Sequence, residues 1–172
     1  MFNKKDKLQL FCDIDGTVNY HYKRIRKWSL PTWPGNSIDP HAFTREEILK
    51  DEVLPSSIEA INKLSKYYNI HFLSARNFQD AFTITKEWLD NNSFNYQSIN
   101  IVSKPDEKIK ILKENNCEVF IDDLQRGHHT DKIEYYYEII DELIKNNINF
   151  EIFSNNWSAL TAKYIQWAKK NI

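Results

Sequence analysis

Short continuous apolar runs alternate with longer stretches of helical periodicity along most of the chain. The runs are Leu8 to Ile14, Ile70 to Ser74, Ile99 to Ser103, Glu118 to Asp122 and Phe150 to Phe153. Each is too short for a helix and too continuous for a half-exposed strand, so all are predicted as buried strands. Between them, Ser56 to Tyr68 sets Ile58, Ile61 and Leu64 at helical spacing behind Ser56 and Glu59, a capping-box signature. Phe78 to Asn91 is predicted to turn Ala81, Phe82, Trp88 and Leu89 inward, and Asp106 to Asn115 to turn Ile109 and Leu112 inward. Further helices are expected over Asp131 to Lys145, with a stripe of Ile133, Tyr137, Ile140 and Ile144, and over Trp157 to Lys169, with Trp157, Leu160, Tyr164 and Ala168.

Strand followed by helix, repeated, implies a parallel sheet covered on both faces. The expected fold class is α/β, a three-layer Rossmann-like arrangement around a five-stranded parallel sheet. A chain of 172 residues suffices for one ordinary domain, so residues 1–172 are read as a single domain. The one long departure, Val18 to Leu54, is rich in Trp, Tyr, Pro and basic side chains and reads as a flap or small cap inserted after the first strand. In such sheets ligands bind beyond the carboxyl ends of the strands, where loops and helix N-termini converge.

Composition narrows the chemistry. The three glycines leave few places for a glycine-rich phosphate loop, so a phosphate must be held another way. A formal net charge of −1 argues against a surface wholly committed to nucleic acid or to an anionic membrane. Cys12 and Cys117 both lie in apolar runs, which disfavours a disulfide framework or a four-ligand zinc site and fits a reducing cytoplasm. No signal peptide or membrane span is expected, and none of the sequence suggests a membrane partner.

The candidate chemistry sits at the strand ends. The first run breaks off into Asp13-Ile14-Asp15-Gly16-Thr17, whose two carboxylates can both reach the space beyond the sheet. Magnesium takes one or two carboxylates with waters and phosphate oxygens, so this pair suits it, although Asp-x-Asp-Gly is also a common turn and a calcium-loop fragment. The second run closes in Ser74-Ala75-Arg76, the third opens into Ser103-Lys104-Pro105-Asp106-Glu107-Lys108, and the fourth ends in Asp122-Asp123. Alone, each has a plain alternative: a solvent arginine, an idle lysine, a capped turn.

These segments, in this order, resemble the four motifs of the haloacid dehalogenase superfamily, and the Ser-Ala-Arg form is similar to deoxyribonucleotidase-like and polynucleotide 3′-phosphatase-like members. The resemblance spans Asp13 to Asp123, and Asn155-Asn156-Trp157 is similar to the tail of bacterial nucleotidase-like members. It implies a haloacid dehalogenase-like fold, Mg2+ as cofactor, and a phosphomonoester hydrolase working through an aspartyl-phosphate. Asp13 is then the nucleophile and Asp15 the general acid and base. Asp13, Asp15 and Asp122 hold the metal, and Asp123 ligates through water or orients the lysine. Ser74, Arg76 and Lys108, with Lys104 as its rival, bind the phosphate.

The expected partner is a phosphorylated small molecule or a nucleic-acid end. His21, Lys23, Arg24, Arg26 and Lys27, interleaved with Tyr20, Tyr22, Trp28 and Trp33, suit a phosphate beside a stacked base, although they also describe a solvated hairpin packed on the domain. His128 and His129 are expected on the substrate side. The competing readings are a binding module without turnover and a phosphotransferase, the latter disfavoured by an insertion too short to exclude water.

Overall fold

The computed structural model of the protein describes residues 7–32, 35–130 and 132–171. Five parallel strands form the central sheet: β1 Leu8–Cys12, β2 Tyr68–Ala75, β3 Ser98–Val102, β4 Val119–Asp122 and β5 Phe150–Ile152. Their spatial order is β5-β4-β1-β2-β3, so β1 runs down the middle with β4 and β2 on either side. The helices between and after them are α1 Ser57–Leu64, α2 Ala81–Asn91, α3 Lys108–Glu114, α4 Tyr137–Lys145 and α5 Trp157–Asn171.

Side chains alternate across a strand, and here the alternation sorts two cores. Leu10, Cys12, Ile70, Phe72, Val119 and Ile121 face α1, α2 and α5, meeting Ile61, Trp88, Leu160 and Tyr164. Phe11, Leu73 and Phe120 face the other way, onto Leu112 of α3 and Ile139 and Leu143 of α4. The result is the expected three-layer, five-stranded parallel α/β fold. Among the described residues no helix is long and apolar enough to cross a membrane.

Four expectations about the helices are corrected. The segment expected as the start of α4 is extended instead, because Glu134–Tyr135 pairs antiparallel with Gln125–Arg126; Asp131 itself lies outside the described residues. Freed from that start, α4 buries Ile139 and Leu143, while Tyr137 and Ile144, expected inward, are 65% and 60% exposed and Ile133 is also exposed. Phe82, likewise expected inward, is 52% exposed, since Ile84 and Thr85 take the inner face of α2. Ser56 adopts φ 64° and makes no side-chain cap, so the capping-box reading of α1 does not hold. The α4 register can be tested by urea unfolding. Leu143→Ala is expected to cost about 2–5 kcal/mol and Ile144→Ala less than about 0.5 kcal/mol, and the reverse order would restore the expected stripe.

The insertion is anchored to the sheet end by a short ladder of Asn19–Tyr20 with Glu52–Val53. It carries a helix at Tyr22–Lys27, a hairpin of Ser29–Thr32 with Gly35–Ile38, a 3-10 turn at Pro40–Phe43 and a helical turn at Arg45–Ile48. Buried Arg24 ties it together, donating from Nε and Nη2 to Asp51 at 2.9 Å each and from Nη1 to the Ala42 carbonyl at 2.9 Å.

Candidate active site

Strand alternation decides where the acids point. Asp13 follows β1 with the parity of Phe11, and Asp122 ends β4 with the parity of Phe120, so both turn toward the layer that holds α3. Lys108 is the first residue of α3 and lies one turn before Leu112, which packs on that same face of the sheet. Its Nζ therefore reaches both acids, donating to Asp13 Oδ1 and to Asp122 Oδ2 at 2.8 Å each. Lys104 stays exposed on the loop before the helix.

Asp123 completes the group, with one carboxylate oxygen from each of Asp13, Asp122 and Asp123 within 4.8 Å of one another. All three are buried. Burial, reinforced by repulsion from Asp122, pushes Asp13 up to about 7 against the pull of Lys108. Asp123 is raised well above the usual carboxylate range by burial and by repulsion from Asp122 and Asp13. Lys108 is held well above its ordinary value, because attraction to Asp122 and Asp13 outweighs its burial. Three carboxylates against one ammonium leave room for two positive charges, and the donors are hard oxygens, so the cluster fits a divalent cation such as Mg2+.

Asp15 is placed differently from its neighbours. It is absent from the cluster of three acids and instead accepts a two-pronged grip from Arg76, Nε to Oδ2 and Nη2 to Oδ1, at 2.9 Å each. Asn19 Nδ2 adds a bond to Oδ1 at 3.0 Å, and Arg24 Nη2 stands 3.9 Å away. Although burial alone would raise it, Arg76 and its neighbours hold the Asp15 carboxyl far below the usual range, as an anion. Thr85 on α2 steadies Arg76 by accepting from Nη1 at 2.8 Å.

Asp13, Asp15, Ser74, Lys108, Asp122 and Asp123 line one pocket of about 110 Å³. It adjoins a groove of about 860 Å³ between the sheet end and the insertion, which shares Asp15 and His128 with it and is walled by Arg24, Arg76, Phe43 and Phe78 among others. The Phe43 and Phe78 rings stack at 5.5 Å, joining the insertion to the loop after β2. Several cations expected to meet substrate are engaged within the insertion: Arg24 with Asp51, Lys23 with Glu52 and Lys27 with Glu47. Trp33 lies outside the described residues.

No protein-family profile and no curated protein sequence matches this chain. Solved structures do. A haloacid dehalogenase-like family hydrolase from Streptococcus pneumoniae aligns over 84% of this chain and 83% of its own, at 13% identity and a TM-score of 0.54. Chains from two structures of the Pnkp1/Rnl/Hen1 complex, one described as an RNA repair complex, align over 88% of this chain at 14% identity and a TM-score of 0.53. This chain spans only 47% and 43% of those two. The protein has a haloacid dehalogenase-like fold.

Within that fold, the strand order brings the ends of β4, β1 and β2 side by side, and with them Asp122, Asp13 and Ser74. Sequence reasoning missed Asn19, Asp51 and Thr85, the supports of Asp15, Arg24 and Arg76. Asp51 lies 27 residues from the arginine it pairs with and Thr85 lies nine from its partner on another element, so no local pattern marks them.

Proposed function

We propose that this protein is a Mg2+-dependent phosphomonoester hydrolase that forms an aspartyl-phosphate on Asp13, acting on a nucleotide or a nucleic-acid terminal phosphate. The observation that carries this reading is the Lys108 bridge between Asp13 and Asp122, with Asp123 beside them, at the mouth of a pocket sized for one phosphoryl group. Asp13, Asp122 and Asp123 would hold the cation, which supplies positive charge to the phosphoryl oxygens when bound. Lys108 keeps Asp13 aimed and offsets charge between nucleophile and phosphate, and the Ser74 hydroxyl donates to a phosphoryl oxygen.

Asp15, two residues from the nucleophile, serves the leaving oxygen and then the water. As an anion gripped by Arg76 it is ready to take a proton from water, but to give one it must first be protonated, which the grip opposes. Transfer of the Arg76 fork from Asp15 to the incoming phosphate would release it for the acid step, using the geometry in which guanidinium meets either group.

The substrate class rests on the groove, which sets Arg76 and Arg126 beside the rings of Phe43, Phe78 and Tyr136. The likeness to chains of an RNA repair complex supports the same class. The test is phosphate release with Mg2+ from mononucleotides, 3′- and 5′-phosphorylated oligonucleotides and sugar phosphates. Nucleotide or oligonucleotide substrates are expected to be fastest, and Arg76→Lys, which keeps charge but not the fork, to lower kcat/KM by about a hundredfold. No release from any of them, with the metal bound, would favour a binding module instead.

A further inference from the structure

Asp123 differs from the other two acids of the cluster in how it is held. Lys108 bonds Asp13 and Asp122. Asp123 instead accepts the Gln125 backbone N–H on Oδ1 at 3.2 Å and the Tyr22 hydroxyl on Oδ2 at 3.3 Å. Tyr22 opens the first helix of the insertion, so this bond joins the insertion directly to the acid cluster.

The surroundings of that bond are built closely. The Tyr22 ring lies 4.4 Å from His21 and 4.6 Å from His128, edge-on to the latter at 86°. Behind it, Gly16 has φ +80°, and a Cβ there would sit 2.2 Å from Asp123 Oδ2 and 2.7 Å from the Tyr22 oxygen. The space is filled by the carboxylate and the hydroxyl.

Two imidazoles stand beside this bond. His21 Nε2 and His128 Nδ1 are 2.9 Å apart and share one proton. His128 Nε2 faces Gln125 Oε1 at 3.4 Å and Asp123 Oδ2 at 3.7 Å, both acceptors, so it carries hydrogen. A ring with its hydrogen on Nε2 leaves Nδ1 bare to accept from His21 Nε2. That leaves His21 Nδ1 without hydrogen, which agrees with its being buried without a partner among the described residues.

We infer that Tyr22 is a positioning residue for the cation site: its hydroxyl, backed by His128, fixes Asp123 as a ligand and so sets the affinity for a divalent cation. This rests on the cation reading of the acid cluster. Groups that orient ligands in this way commonly govern metal affinity, because a carboxylate free to rotate loses freedom on binding.

The experiment is a Mg2+ titration of the full chain followed by thermal unfolding, a readout independent of turnover. Asp122→Asn tests the underlying reading and is expected to abolish the Mg2+-dependent rise in Tm; a wild-type response in this variant would sink the cation site itself. Given that loss, Tyr22→Phe is expected to raise the half-saturating Mg2+ concentration roughly tenfold. Tyr96→Phe removes a hydroxyl that donates to Asp90 at 2.6 Å, remote from the cluster, and is expected to leave the midpoint unchanged. A Tyr22→Phe protein with a lower Tm in the absence of Mg2+ but an unshifted Mg2+ midpoint would show a merely structural hydroxyl and overturn the inference. Should Tyr22→Phe fail to fold, His128→Gln carries the same expectation and the same overturning result.

Discussion

The Asp13→Asn variant is expected to lose phosphate release by at least about a thousandfold while keeping its fold. The substitution preserves shape and leaves Lys108 paired with Asp122, so no buried ammonium is stranded. Its effect on stability should depend on pH in a defined sense. Asp13 in the folded protein is raised to about 7, above the ordinary ~3.9 of an unfolded aspartate. Between those values the folded state binds more protons than the unfolded one, so this group makes stability fall as pH rises through the window. Asn does not titrate. Without divalent cation, the Tm of Asp13→Asn relative to wild type should therefore climb from pH 4 to pH 7, and a flat difference would mean that Asp13 is not the repelled acid.

The largest effect on stability is expected from Lys108→Met. Removing the ammonium leaves Asp13 and Asp122 buried with their shared cation gone, and breaking such a buried pair costs about 3–5 kcal/mol. Urea unfolding at pH 7.5 should show that loss, and it should shrink toward pH 5, where Asp13, raised to about 7 by burial and by Asp122, can take up a proton instead. Mg2+ should also offset part of it, since a cation in the cluster replaces the missing charge. A Lys108→Met protein as stable as wild type at pH 7.5 would place the lysine outside the acids' field. Lys104→Met, on the exposed loop, is the natural comparison.

The strands and the candidate residues gathered at their ends were legible because both signals are local. An apolar run that stops in a polar cluster announces a buried strand and its carboxyl end in the same few residues, as in Leu8 to Asp15 or Val119 to Asp123. The choice between Lys104 and Lys108 was left open by sequence, and the structure places Lys108 at the acids because it shares a helix face with Leu112. The stripe of α4 was misread because Ile133, Tyr137, Ile140 and Ile144 mimic helical spacing across a segment that begins as a strand. Asp15 was expected with the metal ligands; that its carboxylate also pairs with Arg76, 61 residues away, is something no pattern along the chain can reveal. Lys23, Lys27 and Arg24 of the insertion read as free cations for the same reason, their partners Glu52, Glu47 and Asp51 being distant in sequence.

The cluster of acids owes its assembly to the pleat of β1 and β4, not to any loop that might flex to correct an error. A slip of Leu8–Cys12 by one residue against its neighbours would keep the strand apolar and still let it hydrogen-bond to both, yet it would exchange the two faces. Asp13 would then emerge among α1, α2 and α5, on the far side of the sheet from Lys108. The register of this one strand therefore decides both which core each apolar side chain joins and whether the acids meet Lys108 at all.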